Sequence, residues 1–191
     1  MKINTGHEFM VKTRYANISP SPQNSGVVPQ PPLELPVPDG AAVIPLPRAA
    51  DLVVPAMDLR TAVESRRTIR AYSEAPLSLD ETAYLLWVSQ GVKRVSKRPS
   101  TARTVPSAGA RHAFETYLLV NRVEGLNSGL YRYAAIEHGL LRLDAPADIA
   151  ERIAHACLDQ SQVTGSAATF IWAAVVERMY WRYVERGYRY L

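Results

Sequence analysis

The sequence predicts an α+β fold in which helices pack on a layered sheet. Strand-like and helix-like segments alternate irregularly between residues 58 and 191. Apolar residues at 130–133 and 140–143 form a hairpin that turns near His138. The capping box Ser78-Leu79-Asp80-Glu81 begins an apolar helix. A hairpin in the middle of the chain favours this class over a doubly wound parallel sheet.

Residues 1–57 are expected to form a proline-rich extended arm, followed by one domain over residues 58–191. Ten of the fourteen prolines fall between Pro20 and Pro55, and proline is excluded from helix interiors and from central strands. The arm also carries too many apolar residues for a solvated linker. We therefore expect it to lie along the domain or along a partner.

Local sequence patterns place the first elements of the domain. Asp58 is an N-cap residue for a short helix through Glu64, after which residues 68–72 are expected to be extended. The capping box predicts a helix over Leu79–Gln90, with an apolar centre that should be buried. Residues 93–103 are polar and basic, which predicts a loop.

The second half of the domain is predicted in the same way. Residues 114–120 form a strand that precedes the hairpin. Pro146 lies at the start of a helix whose apolar stripe includes Cys157, which predicts a buried, inert thiol. Residues 167–176 are predicted to be a buried strand, and residues 177–191 a helix.

Composition argues against several classes of protein. The net charge is +4, and the arginines concentrate at 66–70 and 178–189, which favours local anion sites over a nucleic-acid surface. The longest apolar run, residues 167–176, is too short to cross a membrane. The single cysteine excludes a disulfide within the chain, and neither it nor the four histidines have metal-ligand spacing. Since the N-terminus lacks a secretion signal, we expect a cytoplasmic protein with no metal, membrane or nucleic-acid partner.

Arg66, Arg67, Thr68 and Arg70 place three guanidiniums and a hydroxyl within five residues. A phosphate dianion needs about two opposing charges together with hydrogen-bond donors. In extended backbone, Arg66, Thr68 and Arg70 would point one way and Arg67 the other. Taken alone, the cluster is equally well interpreted as a solvated basic turn.

Two other segments could contact a ligand. Pro106, Ser107, Ala108 and Gly109 form a turn of small residues whose backbone can lie against a planar ring. In isolation, such a turn is an ordinary loop.

The second of these segments is the arginine- and tyrosine-rich end of the chain, residues 177–191. Here Arg182 and Tyr183 either face a cofactor as proton donors or belong to an interfacial helix at a subunit contact. The interfacial interpretation is favoured on the residues alone.

Five blocks, taken together and in order, resemble the nitroreductase-like flavin enzymes, and within them the SagB-type dehydrogenase branch related to azoline dehydrogenases. The resemblance runs from about Leu59 to Leu191. The blocks that carry it are Arg66-Arg67-Thr68-Ile69-Arg70-Ala71-Tyr72, Leu85-Leu86-Trp87-Val88-Ser89-Gln90-Gly91, Thr104-Val105-Pro106-Ser107-Ala108-Gly109-Ala110, Gly129-Leu130-Tyr131-Arg132-Tyr133, and residues 177–190.

The resemblance implies a three-layer α-β-α sandwich around a mostly antiparallel sheet, incomplete at the C-terminus. It also implies a homodimer with FMN at each subunit interface, reduced by NAD(P)H and oxidised by a small-molecule acceptor such as a nitroaromatic or a quinone. By position, Arg66 and Thr68 would hold the FMN phosphate, Arg67 would reach the phosphate and ribityl chain, and Arg70 would lie near the N1/C2 edge of the ring. Residues 106–109 of the partner would cover the ring.

Two alternatives follow from the same resemblance. Azoline-oxidising members are expected to carry a Lys-Tyr pair in the segment that here reads Arg182-Tyr183. Arginine does not readily release a proton, which weighs against azoline chemistry on a peptide substrate. The other alternative is a catalytically inactive flavin fold that serves as an interaction module.

Overall fold

A five-stranded antiparallel sheet forms the centre of the structure, a computed structural model that describes residues 4–191. The strands are β1 Val43–Pro45, β2 Val92–Val95, β3 Thr101–Arg103, β4 Phe114–Val120, β5 Gly129–Ala134, β6 Gly139–Arg142 and β7 Ala168–Ala174. The main sheet has the order β1-β6-β5-β4-β7, and β2 pairs with β3 in a separate hairpin. Every neighbouring pair in the main sheet is antiparallel, which confirms the predicted α+β class.

Seven α-helices are assigned within the described residues. They are α1 Thr5–Lys12, α2 Pro22–Ser25, α3 Leu59–Ser65, α4 Leu79–Gln90, α5 Ile149–Ala156, α6 Gln162–Gly165 and α7 Val176–Tyr183. Short 3-10 helices occupy Tyr15–Asn17, Ala49–Asp51, Ala108–Ala110 and Val184–Tyr190.

Helices cover both faces of the sheet. Alternate residues of β4 point to opposite faces, so neighbouring residues contact different helices. Leu118 packs in a core cluster with Leu86 of α4. Its neighbour Leu119 packs with Ala154 of α5 and Val163 of α6. The result is a helix layer on each side of the sheet, as in a three-layer sandwich.

Most elements lie where the local patterns place them. Asp58 caps α3 by accepting a hydrogen bond from the Thr61 backbone N–H at 3.0 Å. Both halves of the capping box are present, since Glu81 N donates to Ser78 Oγ and Ser78 N donates to Glu81 Oε2. Helix α4 has the predicted bounds, and the predicted hairpin is formed by β5 and β6.

Four expectations are wrong in detail. Residues 93–103 are not a loop, because β2 and β3 pair across a turn in which Ser96 N donates to the Ser100 carbonyl at 2.9 Å. Strand β7 is an edge strand rather than a buried one, and Trp172 is 49% exposed. Cys157 follows the last turn of α5 and is exposed, so it is not a core thiol. The final helix breaks at Val184, whose φ of 50° interrupts α-helical geometry.

The centre of α4 is also less buried than its apolar sequence predicts. Leu86 is fully enclosed, whereas Leu85 and Val88 are exposed. These two residues lie on the side of the helix that faces away from the sheet core.

The N-terminal segment is held against the domain by a buried ionic cluster. Glu115 of β4 accepts hydrogen bonds through Oε1 from the Leu35 backbone N–H at 2.9 Å and from the Arg178 guanidinium. Arg178 also donates through Nε to the Pro32 carbonyl at 2.8 Å. Arg132 lies 3.9 Å from Glu115 Oε2 and donates to the Leu35 carbonyl. Arg178 is therefore a buried structural residue and not part of a surface basic patch.

Other contacts fix the rest of this segment, which is less uniformly extended than its prolines predict. Strand β1 pairs with β6 at the edge of the sheet, where proline is tolerated. Next to it, His138 bridges the Tyr133 hydroxyl at 2.7 Å and the Pro47 carbonyl at 2.9 Å. Helix α1 lies against the C-terminal residues, with Arg186 donating to the Thr13 carbonyl at 3.0 Å.

Candidate functional site

The arginine cluster lies in an exposed segment that follows α3. Arg66 is the C-cap of that helix, and Arg67, Thr68 and Arg70 lie outside regular secondary structure. All four residues are exposed. Within residues 4–191, none of these three guanidiniums forms a hydrogen bond or a salt bridge, in contrast to Arg60, which pairs with Glu64 on the same helix. Their charges are therefore available to a ligand.

The turn of small residues has a defined backbone conformation. Ser107 precedes the 3-10 turn Ala108–Ala110, and its Oγ accepts a hydrogen bond from the His112 N–H at 2.9 Å. Gly109 has a φ of +59°, a conformation that favours glycine. Pro106 is exposed, whereas the next three residues are half-buried.

Gly109 lies directly against the end of α7. A Cβ added at this position would approach the Tyr183 hydroxyl to 2.6 Å and would collide with the Arg182 side chain. The absence of a side chain at Gly109 thus allows the turn to contact both of these residues. The structure therefore brings together two of the three predicted groups, the turn and the Arg182-Tyr183 pair.

Arg182 and Tyr183 also contact each other. Arg182 Nε donates to the Tyr183 hydroxyl at 3.2 Å, and Arg182 Nη1 donates to Gln23 Oε1 at 3.3 Å. The next residue, Val184, is buried with a φ of 50° and a ψ of −138°. Strained backbone at a β-branched residue is held in place by its surroundings, and such strain concentrates at functional sites.

A cavity of about 480 Å³ opens between this pair and the N-terminal segment. The N-terminal side contributes polar groups of Tyr15, Ser19 and Gln23, and the domain side contributes Arg98, Arg182 and Tyr183. Of the described residues that line it, none carries a carboxylate. Arg98 and Gln23 could not be identified from the sequence, because each comes from a separate loop or short helix with no local motif.

Positive charge accumulates beside this cavity. Arg111 donates through Nε to the Gly109 carbonyl at 3.0 Å. Burial, followed by the nearby charge of Arg182, lowers the pKa of Arg111, and Arg98 contributes in the same direction. Behind the turn, burial and the charge of Arg103 lower the pKa of His112 to about 4, so His112 is neutral at pH 7.

The arginine cluster does not join this group within one chain. No hydrogen bond or salt bridge among the described residues links Arg66, Arg67 or Arg70 to the turn at 106–109, and none of the three lines the cavity. No cluster of potential metal ligands is found in residues 4–191. In the same range, no helix has the length and apolar character needed to cross a bilayer.

Comparison with known proteins gives a consistent family match. The model described as Nitroreductase family matches residues 63–191. A protein of Methanocaldococcus jannaschii assigned as a nitroreductase is 33% identical over 133 residues, which are 70% of this chain and 65% of that protein. The chain therefore spans 65% of the length of this curated relative.

Solved structures support the fold. A protein of Anabaena variabilis assigned as a nitroreductase matches with a TM-score of 0.62 and 21% identity, over 96% of this chain and 34% of its own. A second protein assigned as a nitroreductase, from Ralstonia eutropha, matches with a TM-score of 0.57 and 23% identity, over 85% of this chain and 72% of its own. A chain of the microcin synthetase complex of E. coli matches with a TM-score of 0.50 and 19% identity, over 96% of this chain and 70% of its own. At these identities the likeness establishes the fold alone.

Proposed function

The chain belongs to the nitroreductase family, and on that premise we propose that it is an FMN-dependent oxidoreductase that acts as a homodimer. NAD(P)H is the proposed electron donor, and a small molecule such as a nitroaromatic or a quinone is the proposed acceptor. The observation that carries the proposal is the exposed set of guanidiniums at Arg66, Arg67 and Arg70, which have no acidic partner within residues 4–191.

These residues fit the chemistry of FMN. A phosphate group binds guanidiniums and hydroxyl donors. Arg66 supplies a guanidinium, and Thr68 supplies a hydroxyl. Arg67 is assigned to the phosphate and ribityl chain, and Arg70 to the N1/C2 edge of the ring. A bound flavin supplies hydride transfer, and a cation beside N1 favours its reduced, anionic form.

The second half of the flavin site is assigned to the partner subunit. Pro106, Ser107, Ala108 and Gly109 form a turn that can lie flat on a ring because three of its four side chains are small or absent. Arg182 and Tyr183 lie directly behind this turn. Of the pair, Tyr183 is the group able to exchange a proton with an acceptor, and Arg182 orients its hydroxyl.

Exposed apolar residues support the homodimer. Leu59 and Val63 on α3 are 80% and 67% exposed, although they share one face of the helix. Ile69 and Tyr72, which flank the arginine cluster, are also exposed. An apolar face of this kind is typical of an interaction surface, and here it leads directly into the proposed phosphate site.

Titration with FMN tests the proposal, because flavin fluorescence is quenched on binding. Saturable quenching is expected for the unaltered chain, and Arg66→Gln should weaken it by about tenfold or more, equivalent to about 1.4 kcal/mol. Arg60→Gln is the matched control, since it removes one charge from the same helix and should leave FMN affinity unchanged. A chain that leaves FMN fluorescence unaltered, or equal losses in both variants, would contradict the proposal.

A further inference from the structure

We propose that the cavity between the N-terminal segment and the end of α7 binds the oxyanion group, a phosphate or a carboxylate, of a small-molecule ligand. Arg98 and Arg182 are the charged residues that line it. This site shares Arg182 and Tyr183 with the proposed flavin site, but it is formed by one chain and none of the arginines of the Arg66–Arg70 cluster lines it.

The two arginines that line this cavity form no ion pair with an acidic residue within residues 4–191. Some other arginines do pair with acids, as Arg48 does with Asp51 and Arg178 with Glu115. The Arg182 guanidinium, by contrast, donates hydrogen bonds only to neutral groups among the described residues, namely Gln23 and Tyr183. Arg98 is exposed, and its only hydrogen bond within residues 4–191 is the one that its backbone carbonyl accepts from Ser96, so its guanidinium forms none. A ligand with a negative charge would supply the counterion that neither side chain has in the described part of the chain.

Arg111 adds a third positive charge next to the cavity. It is held on the Gly109 carbonyl at 3.0 Å, and its guanidinium lies 5.4 Å from the centre of the Trp181 ring. Gly109 also contacts Arg182, so the side chains of Arg111 and Arg182 both lie against this glycine. Burial lowers the pKa of Arg111 most, and the nearby charges of Arg182 and then Arg98 lower it further. A bound anion would relieve this repulsion between the arginines.

The remaining lining groups suit an oxyanion. Tyr15, Ser19 and Tyr183 contribute hydroxyls, which can donate to oxygen, and Gln23 contributes an amide. A volume of about 480 Å³ is larger than a phosphate or carboxylate group requires. The ligand therefore has a body beyond its anionic group, within the size range of ordinary small-molecule sites.

Isothermal titration of the flavin-free chain tests the site with three probes: inorganic phosphate, benzoate and adenosine 2′-monophosphate. Saturable binding of at least one probe is expected, with a Kd of about 1 mM or tighter. Arg182→Gln and Arg98→Gln should each weaken binding by about fivefold or more, since each removes one charge-assisted contact. Arg152→Gln is the control, because this arginine is exposed on α5 and does not line the cavity. Preference for phosphate or benzoate then identifies which oxyanion the site takes.

The Arg66→Gln variant separates this site from the proposed FMN phosphate site. Binding that survives Arg66→Gln and is lost in Arg98→Gln supports the inference, even if the chain fails to bind FMN. Loss in Arg66→Gln alone assigns the anion to the arginine cluster and overturns the inference. No saturable binding, or equal weakening in all variants including Arg152→Gln, also overturns it. If Arg182→Gln disturbs folding because it removes the hydrogen bond to Gln23, the result for Arg98→Gln decides the test.

Discussion

Removal of Arg178 should release the N-terminal segment and strongly destabilise the domain. Arg178 and Glu115 are 3% and 4% exposed, so each needs the other as a counterion. In Arg178→Met, the Glu115 carboxylate keeps its hydrogen bond from the Leu35 N–H, but its nearest remaining cation is Arg132, at 3.9 Å. The Pro32 and His112 carbonyls lose the donors that reach them at 2.8 and 3.2 Å.

The expected cost follows from these lost contacts. Breaking a buried ion pair by removing one partner costs about 3–5 kcal/mol, because the remaining charge is left buried. With a typical dependence on denaturant, this corresponds to a decrease of roughly 1–2 M in the urea midpoint. Arg152→Met, an exposed change of the same type on α5, should shift stability by no more than about 0.5 kcal/mol.

Equilibrium urea unfolding of Arg178→Met, Glu115→Met and the double variant measures this coupling. The double variant should lose about 1–3 kcal/mol less than the sum of the two single losses, because it leaves no unpaired carboxylate. Limited proteolysis should also cut between residues 20 and 40 earlier in the single variants. Losses below about 1 kcal/mol in the single variants, or strict additivity, would refute the role assigned to this pair.

Three further predictions concern the turn and the surface. Gly109→Ala should destabilise the chain by about 1–3 kcal/mol in urea unfolding, because its Cβ would meet Tyr183. Gly125→Ala, at a similar φ of +76° with open space around it, should cost less, and equal losses would contradict the close packing. Because the pKa of His112 is about 4 in the folded chain, below its ordinary 6.5, the unfolded chain binds the proton more readily. Stability should therefore fall by about 1–2 kcal/mol, allowing for solvent screening, as pH decreases from 6.5 to 4, and His112→Asn should remove this part of the pH dependence. Cys157 is exposed and should react with a thiol reagent in the folded chain, whereas reaction only after denaturation would show that it is buried.

Elements with strong local patterns could be predicted from the sequence. The capping box fixed the start of α4, because both of its hydrogen bonds form within four residues. The β5–β6 hairpin could be predicted for the same reason, because its two strands are adjacent in the sequence. By contrast, the β2–β3 hairpin has polar strands, and polarity alone suggested a loop. The edge position of β7 depends on the neighbouring strands, so its apolar composition gave no indication of exposure.

The candidate site was predicted in part. The turn at 106–109 and the Arg182-Tyr183 pair were identified separately, but their contact through Gly109 depends on tertiary packing. The role of Arg178 could not be predicted, since Glu115 is 63 residues away in sequence. Residues 177–191 were predicted to be one helix, whereas the break at Val184 separates Arg186 from Arg178 and Arg182.

Complementation between two defective chains tests the proposed two-subunit flavin site most directly. Arg67→Gln damages the arginine cluster, and Gly109→Trp fills the turn, so each chain alone should bind FMN poorly. In a mixed dimer, one of the two interfaces combines an intact cluster with an intact turn, and unfolding and refolding the two chains together should restore FMN binding at that interface. Restored quenching of FMN fluorescence is the predicted result. A mixture that binds no more FMN than its separate components, although native mass spectrometry shows mixed dimers, would contradict a site built from two subunits.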